Sequence, residues 1–127
     1  MPQRIKLSRA KGWRKPAGAI VVSRPSRFGN PFRVTQAEGS WTVQDGTGVI
    51  YGATGNTDAR RFATTWYRAW LSSQTELLAR ARAELTGHDL ACWCPLPEPG
   101  QPDWCHGRVL LDVANGETAV NPPPGPP

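Results

Sequence analysis

Three cysteines and two histidines, all within residues 88–106, are the side chains of this sequence best suited to chemistry. Cys92 and Cys94 are separated by one residue, and the adjacent pair Cys105 and His106 follows a short Pro/Gly-rich segment. Two cysteines, a third cysteine and a histidine match the number and types of ligand that zinc takes in a tetrahedral site. The spacing is tighter than the usual C-x2-C pattern. These four residues therefore form a candidate zinc site.

Cys105 also supports a second interpretation, in which it is a catalytic nucleophile with His106 as its base. The dipole of a helix stabilises a thiolate at the helix N-terminus, and His88 offers an alternative base. Such a site also needs a group that holds the anionic part of a substrate. A third interpretation makes the cysteines small buried hydrophobic side chains beside Trp93 and Trp104. The residue pattern leaves these three interpretations open.

A second group of polar side chains follows the apolar run of residues 19–22. Residues 23–32 combine arginines, serines, glycine, asparagine and prolines. Guanidinium groups, hydroxyls and backbone N–H groups in such a loop can bind phosphate or carboxylate. The loop has neither a Walker nor a dinucleotide-binding spacing, and it also fits a rigid turn with phenylalanines in the core. The candidate ligand-binding residues of this loop are Arg24, Ser26, Arg27 and Asn30.

Two predicted strands bring these groups together. Residues 19–22 are a β-branched run typical of a buried strand, and residues 90–94 alternate so that two thiols face one side. Pro95 ends the second strand, and Asp103 is predicted to cap a helix whose first turn contains Cys105 and its neighbour. If the strands are parallel neighbours, their carboxyl ends meet. Both loops then line one crevice, where open α/β sheets bind ligands.

The remaining segments predict a hairpin and two further helices. Residues 40–44 and 48–52 flank Asp45-Gly46, which is a strong hairpin signal. Residues 57–58 are predicted to cap a helix, and a capping box at residues 73–76 begins the next one. The predicted fold is a single α/β domain with a small, mostly parallel sheet, an appended β-hairpin and three helices.

Length and charge favour one domain with an anionic partner. The 127 residues divide into a basic N-terminal arm (1–16), the α/β domain (17–116) and a Pro-rich tail (117–127) that we expect to be disordered. The net charge of +5 is uneven, because nine Lys and Arg residues precede the first acidic residue, Glu38. This pattern favours a nucleotide, phosphate or nucleic acid, although a solvated basic face has the same pattern.

The basic arm offers candidate contacts to nucleic acid. These are Arg4, Lys6, Arg9, Lys11 and Arg14. Trp13 stands among these cations, where it can stack on a base or pack against the domain as an anchor.

No apolar run reaches membrane length, and the N-terminus does not resemble a signal peptide. We therefore expect a cytoplasmic protein with no membrane contact and with reduced thiols.

Three motifs in order resemble the family catalogued as domain of unknown function 4326. They are Lys11-Gly12-Trp13-Arg14, residues 24–32, and residues 90–95 followed by Cys105-His106. The resemblance covers about residues 4–115. It implies a small protein of actinobacteria or their phages with a shared fold and a shared site, and it carries no agreed activity. The family pattern usually continues Cys-His-Ala-Asp, whereas Gly107-Arg108 stands here, so this chain lacks that acid.

Three functional hypotheses follow. In the first, the chain is a small enzyme, or a degenerate enzyme, that acts on a nucleotide, nucleoside or nucleic-acid base. The Arg/Ser loop would hold the anionic part, and the Cys/His segment would supply zinc or thiol chemistry. The alternative is a non-catalytic, zinc-stapled accessory protein that binds nucleic acid through its basic front. A binder of a partner protein, using the hairpin and exposed tryptophans, is a third possibility.

Overall fold

The computed structural model describes residues 2–45, 47–48 and 50–116, which form two small sheets and three helices. In chain order these are β1 (Arg4–Lys6), β2 (Ile20–Val21), β3 (Arg33–Ala37), β4 (Ser40–Gln44), β5 (Ile50–Ala53), α1 (Asn56–Ser72), α2 (Thr75–Leu85), β6 (Leu90–Cys92) and α3 (His106–Ala114). The predicted α/β class, the parallel sheet and the three helices are confirmed. The predicted tail, residues 117–127, lies outside the described residues.

The parallel sheet has the order β1–β6–β2, with β6 at its centre. Leu90 of β6 lies opposite Arg4 on one side and Ile20 on the other. All three residues of β6 are buried, as expected for a central strand that is covered on both faces. Because β2 and β6 are parallel neighbours, their carboxyl ends lie at the same edge of the sheet, and the two polar loops leave from that edge.

Strand β1 lies inside the segment that the sequence assigned to a basic arm. Its three residues are too few and too polar to show a strand pattern, and it is extended because it pairs with β6. Leu7 continues the pairing, since its N–H donates to the Cys92 carbonyl at 2.9 Å. The front of the chain is therefore attached to the sheet at Arg4–Lys6. The division of the chain at residue 16 stays a prediction.

The predicted hairpin is confirmed, and it belongs to a three-stranded antiparallel sheet. Trp41 of β4 lies opposite Ala53 of β5. Strand β3 precedes them and pairs with β4 through a turn at Glu38 and Gly39, both of which have positive φ angles (52° and 80°). Two consecutive residues with positive φ favour Asn-Gly or Asp-Gly, and the Glu-Gly pair lacks that signal. This is why the sequence did not predict β3.

The main core lies between the parallel sheet and the three helices. Helix α1 presents the buried side chains of Tyr67 and Leu71 to it, and the Tyr67 hydroxyl donates to the Phe28 carbonyl at 2.8 Å. A smaller cluster around the buried Val43 joins α1 to the antiparallel sheet. None of the helices within the described ranges is both long and apolar enough to span a bilayer.

The capping residues predicted for all three helices are wrong. Helix α1 begins at Asn56 after Gly55 and has no side-chain cap, and the Asp58 carboxylate accepts from the Thr54 N–H at 3.0 Å. Helix α2 begins at Thr75 without a side-chain cap, because the Ser73 hydroxyl donates instead to the Trp70 carbonyl at 2.7 Å. Helix α3 is capped by Cys105, whose Sγ accepts a hydrogen bond from the Gly107 N–H at 3.4 Å. The Ser73 side chain therefore binds the last turn of α1 and does not cap α2.

Candidate functional site

The three cysteine thiols lie together at the carboxyl end of β6. Cys92 ends that strand, Cys94 follows in the loop, and Cys105 immediately precedes α3. Their sulfur atoms lie within 4.8 Å of one another, and the Cys92 and Cys94 sulfurs are 3.9 Å apart. Zn–S bonds of about 2.3 Å in a tetrahedron place two sulfurs roughly 3.8 Å apart. The predicted convergence is confirmed for the three thiols, and a small contraction would let them hold a metal ion. The fourth predicted ligand, His106, does not belong to the group whose ligand atoms all lie within 4.8 Å of one another.

The close approach of the thiols shifts their pKa values in opposite directions. Hydrogen bonds from Cys105 and then from Cys94 stabilise the Cys92 thiolate and lower its pKa. The hydrogen bonds that Cys105 makes with Cys92 and Cys94 raise its own pKa, and burial raises it further. One negative charge is therefore stable in this cluster, whereas a second is repelled by the first. A divalent cation that bound the sulfurs would remove this repulsion.

Its burial and its raised pKa argue against Cys105 as an isolated nucleophile. Its side chain is almost completely buried, with 1% of the residue exposed. Its pKa is raised, whereas the nucleophile hypothesis required the helix dipole to lower it. The Cys105 sulfur does cap α3, but the neighbouring thiols outweigh the effect of the helix on its ionisation.

His106 lies beside the thiol cluster, with its Nδ1 3.9 Å from the Cys105 sulfur. Its Nε2 lies 2.8 Å from the Val22 carbonyl oxygen, and because a carbonyl only accepts, Nε2 carries the hydrogen. In the neutral ring Nδ1 is then the nitrogen with the free lone pair. A backbone carbonyl orients metal-binding and proton-accepting histidines in this way. The other candidate base, His88, is exposed and bonds the Gly18 carbonyl instead.

A buried arginine from β1 holds the loop that carries Cys94. The Arg4 side chain is 2% exposed, and its Nε and Nη2 donate to the two Asp103 oxygens at 2.6 and 2.9 Å. Its Nη1 and Nη2 donate to the Cys94 and Pro95 carbonyls at 2.9 and 2.5 Å. Burial alone would lower the pKa of Arg4, but Asp103 and the nearby cysteines raise it, so the group stays charged.

The prediction that Arg4 contacts nucleic acid is therefore wrong, because its guanidinium is fully used inside the protein. The prediction that Asp103 caps α3 fails for the same reason, since both of its oxygens bind Arg4. Gly107 leaves room for this arrangement, because a Cβ at that position would lie 3.1 Å from the Arg4 Cδ. Only the pairing of β1 with β6 brings these residues together.

The thiol cluster opens into a pocket of about 400 Å³. The Arg/Ser loop forms one wall, the first turns of α1 form another, and the Cys/His segment closes the pocket. The two loops thus share one crevice, as the sequence predicted. None of the described residues that line the pocket is an aspartate or glutamate, whereas Arg24 and Arg60 both line it. The pocket therefore suits an anionic ligand.

Arg24 and Arg60 differ in how their guanidinium groups are bound. Arg24 donates to the Asn30 carbonyl at 2.6 Å, and burial and the nearby Arg33 lower its pKa. Arg60 donates to the Trp104 carbonyl at 3.3 Å, and its buried Nε has no hydrogen-bond partner. The sequence did not select Arg60, since only the packing of α1 places it here.

Three of the predicted ligand-binding residues lie outside the pocket. The Ser26 hydroxyl accepts from the Phe28 N–H at 3.0 Å and closes the turn. Arg27 is exposed and pairs with Glu84 of α2 at 3.5 Å. Trp13 is 36% exposed on the front segment, where it can neither hold nor shield a ligand in the pocket. Asn30 does line the pocket, although its side chain bonds the protein backbone on both sides.

Gly29 allows Arg24 to approach the turn of its own loop. A Cβ at position 29 would lie 2.6 Å from the Arg24 Cγ and 3.1 Å from its Cα. We expect Gly29→Ala to lower the free energy of unfolding by about 1–3 kcal/mol, because the loop must shift to admit the methyl group. Gly52→Ala is the control, since a Cβ there meets nothing within 4 Å. Equal stability of the two variants in urea denaturation would contradict the close approach.

Comparison with known proteins identifies one family. The family described as Domain of unknown function (DUF4326) matches residues 5–116. Searches of the curated proteins and of the solved structures found no match. The matched range contains the three cysteines, His106 and both loops of the pocket. Because the match covers nearly the whole described chain, the protein belongs to the family of domain of unknown function DUF4326.

Proposed function

We propose that the protein is a small enzyme that binds a nucleotide or a phosphorylated nucleoside in this pocket, next to a zinc ion held by the thiols. The observation that carries the proposal is that three convergent thiols and two guanidinium groups line one pocket of about 400 Å³. A site of this volume is within the range of small-molecule pockets. A metal that only stapled the fold would not need to face a cationic pocket.

The thiols of Cys92, Cys94 and Cys105 would hold the metal. Catalytic zinc sites use three protein ligands and leave one position for water or substrate, and such a zinc acidifies bound water or polarises a carbonyl or phosphoryl oxygen. The lone pair on the Nδ1 of His106 faces the cluster, so this residue can accept a proton beside it or supply the fourth ligand. The Val22 carbonyl keeps the ring in the required orientation for either role.

The cationic wall would hold the anionic part of the ligand. Arg60 and Arg24 each bind a backbone carbonyl through one guanidinium nitrogen, which leaves further N–H groups for a ligand. Charge-assisted hydrogen bonds from guanidinium groups to phosphate oxygens are among the stronger polar contacts in proteins. The aromatic side chains of Phe32, Trp93 and Trp104 provide apolar lining against which a base can pack.

The test is thermal-shift screening with nucleosides and with nucleoside mono-, di- and triphosphates, on protein purified without chelator. We expect phosphorylated ligands to raise the melting temperature. Arg24→Ala and Arg60→Ala should each weaken binding at least tenfold, because a hydrogen bond to a charged group contributes about 1.5–3 kcal/mol. Isothermal titration calorimetry then gives the affinities.

Arg27→Ala is the matched control, because it removes one arginine from the same loop but outside the pocket. Its ligand affinity should stay within twofold of the original chain. If no nucleotide shifts the melting temperature, the enzyme proposal fails. Stoichiometric zinc without any ligand binding would then leave the zinc-stapled nucleic-acid-binding protein as the better account.

A further inference from the structure

We propose that the pocket receives its nucleotide as part of a single-stranded nucleic acid, which reaches the pocket along a basic groove beside β1. The inference rests on the proposed function, because it assigns the ligand class of the same pocket. The groove is a second concavity of about 390 Å³, lined by Lys6, Leu7, Ser8, Arg9 and Trp93. It begins where β1 ends, at the same edge of the sheet as the thiols.

Trp93 connects the groove with the pocket. It lines both concavities, so the groove and the pocket are neighbours at this residue. Trp93 is 42% exposed, although it lies between two cysteines that are largely enclosed. An exposed indole at the mouth of an anion-binding pocket offers a surface on which a base can stack.

A cation already lies against this indole. The Arg9 guanidinium carbon is 4.4 Å from the centre of the Trp93 ring, which is a cation–π contact. The contact holds the ring in place and puts a positive charge beside it. Lys6 lines the same groove. Proteins that bind single strands combine these features, with cations that follow the phosphates and aromatic rings that stack on the bases.

Four cations of the N-terminal segment, residues 1–16, lack acidic partners. Within the part of the chain that the structure describes, Lys6, Arg9, Lys11 and Arg14 form no ion pair, and neither do Arg24, Arg33, Arg60 and Arg82 further along the chain. The paired arginines are Arg4, Arg27, Arg61, Arg68, Arg80 and Arg108. A mononucleotide inside the pocket would not require a charged surface outside it. A polyanion would, because each neutralised phosphate releases condensed counterions and adds to affinity.

Fluorescence anisotropy with labelled ten-nucleotide single strands tests the inference, with DNA and RNA of the same sequence as separate arms. We expect at least one of them to bind tenfold or more tightly than the matching mononucleotide at low salt. The double variant Lys6→Ala/Arg9→Ala should weaken strand binding at least tenfold. It should also reduce the slope of log affinity against log salt by about 1.4, since each phosphate contact in a single strand contributes about 0.7.

Trp93→Ala is expected to weaken strand binding by about tenfold, because it removes the stacking surface. The control Arg82→Ala removes one exposed cation from α2, away from both concavities, and should change neither strand nor mononucleotide affinity more than twofold. The double variant should leave mononucleotide binding within twofold as well, because neither of its residues lines the pocket.

The possible failures are distinguishable. If mononucleotides bind but strands bind no more tightly, and the double variant has no effect, the strand inference is wrong and the proposed function stands. If neither kind of ligand binds, the proposed function itself is wrong. Duplex DNA that binds as tightly as the single strand would also overturn the inference, because a paired base cannot enter the pocket while it remains stacked.

Discussion

Replacing Arg4 by methionine is expected to lower the free energy of unfolding by about 3–5 kcal/mol, the cost of breaking a buried ion pair from one side. The Asp103 carboxylate, whose side chain is only 10% exposed, would keep its charge without a counterion. The Cys94 and Pro95 carbonyls would lose their donors at the same time. Urea denaturation followed by fluorescence of the tryptophans measures the effect.

Arg80→Met is the control for this prediction. Arg80 also forms ion pairs, with Glu76 and Glu84, but its side chain is 49% exposed, and such pairs contribute about 0–1 kcal/mol. The double variant Arg4→Met/Asp103→Asn should recover part of the lost stability, because it removes the orphaned charge. An Arg4→Met variant as stable as Arg80→Met would show that the buried pair does not hold the cysteine loop.

If the thiols hold zinc, as proposed, removing it is expected to lower the melting temperature by about 15 °C. Zinc present at a thousandfold excess over its dissociation constant stabilises the folded state by about 4 kcal/mol, and a domain of this size shifts by roughly 4 °C per kcal/mol. The thiols of the cluster come from β6, the following loop and α3, so one ion would tie three segments together. Differential scanning calorimetry with and without chelator, together with elemental analysis, measures the effect.

Substitution of single ligands separates loss of the metal from loss of packing. Cys94→Ser should lose stoichiometric zinc and melt, with or without chelator, close to the chelated original chain. His88→Ala is the control, because this exposed histidine bonds the Gly18 carbonyl outside the cluster, and it should keep its zinc. Zinc content that is unchanged by Cys94→Ser would exclude the cluster as the metal site.

The front of the chain contributes to the site through the buried Arg4, although none of the described residues 2–16 lines the pocket. Strand β1 carries Arg4 into the protein, where it fixes the Cys94 loop, and then turns outward to place Lys6 in the groove. The proposed metal site and the proposed path of a nucleic-acid strand to the pocket would therefore both depend on β1. A substitution in β1 should affect both zinc binding and strand affinity, whereas a substitution of Arg24 should affect only the affinity for the ligand.

Strands, turns and helices that depend on residues close together in the chain could be predicted from the sequence. The apolar run before the Arg/Ser loop, the turn signal at Asp45-Gly46 and the helical periodicity of α1 each lie within a short window. The convergence of the thiols was also predictable. Cys92 and Cys94 are close in sequence, and the Pro/Gly-rich segment returns the chain to them at Cys105.

Which arginines lie at the site could not be predicted from the sequence, because their positions depend on the packing of distant segments. Arg4, Arg27 and Arg60 look alike in sequence, yet one is buried against Asp103, one is exposed beside Glu84, and one lines the pocket. The exposure of an arginine and its ion-pair partner depend on residues that are distant in the chain. Asp103 is 99 residues from Arg4, and Glu84 is 57 from Arg27. No local pattern encodes such contacts, so the pairing of β1 with β6 and the packing of α1 had to supply them.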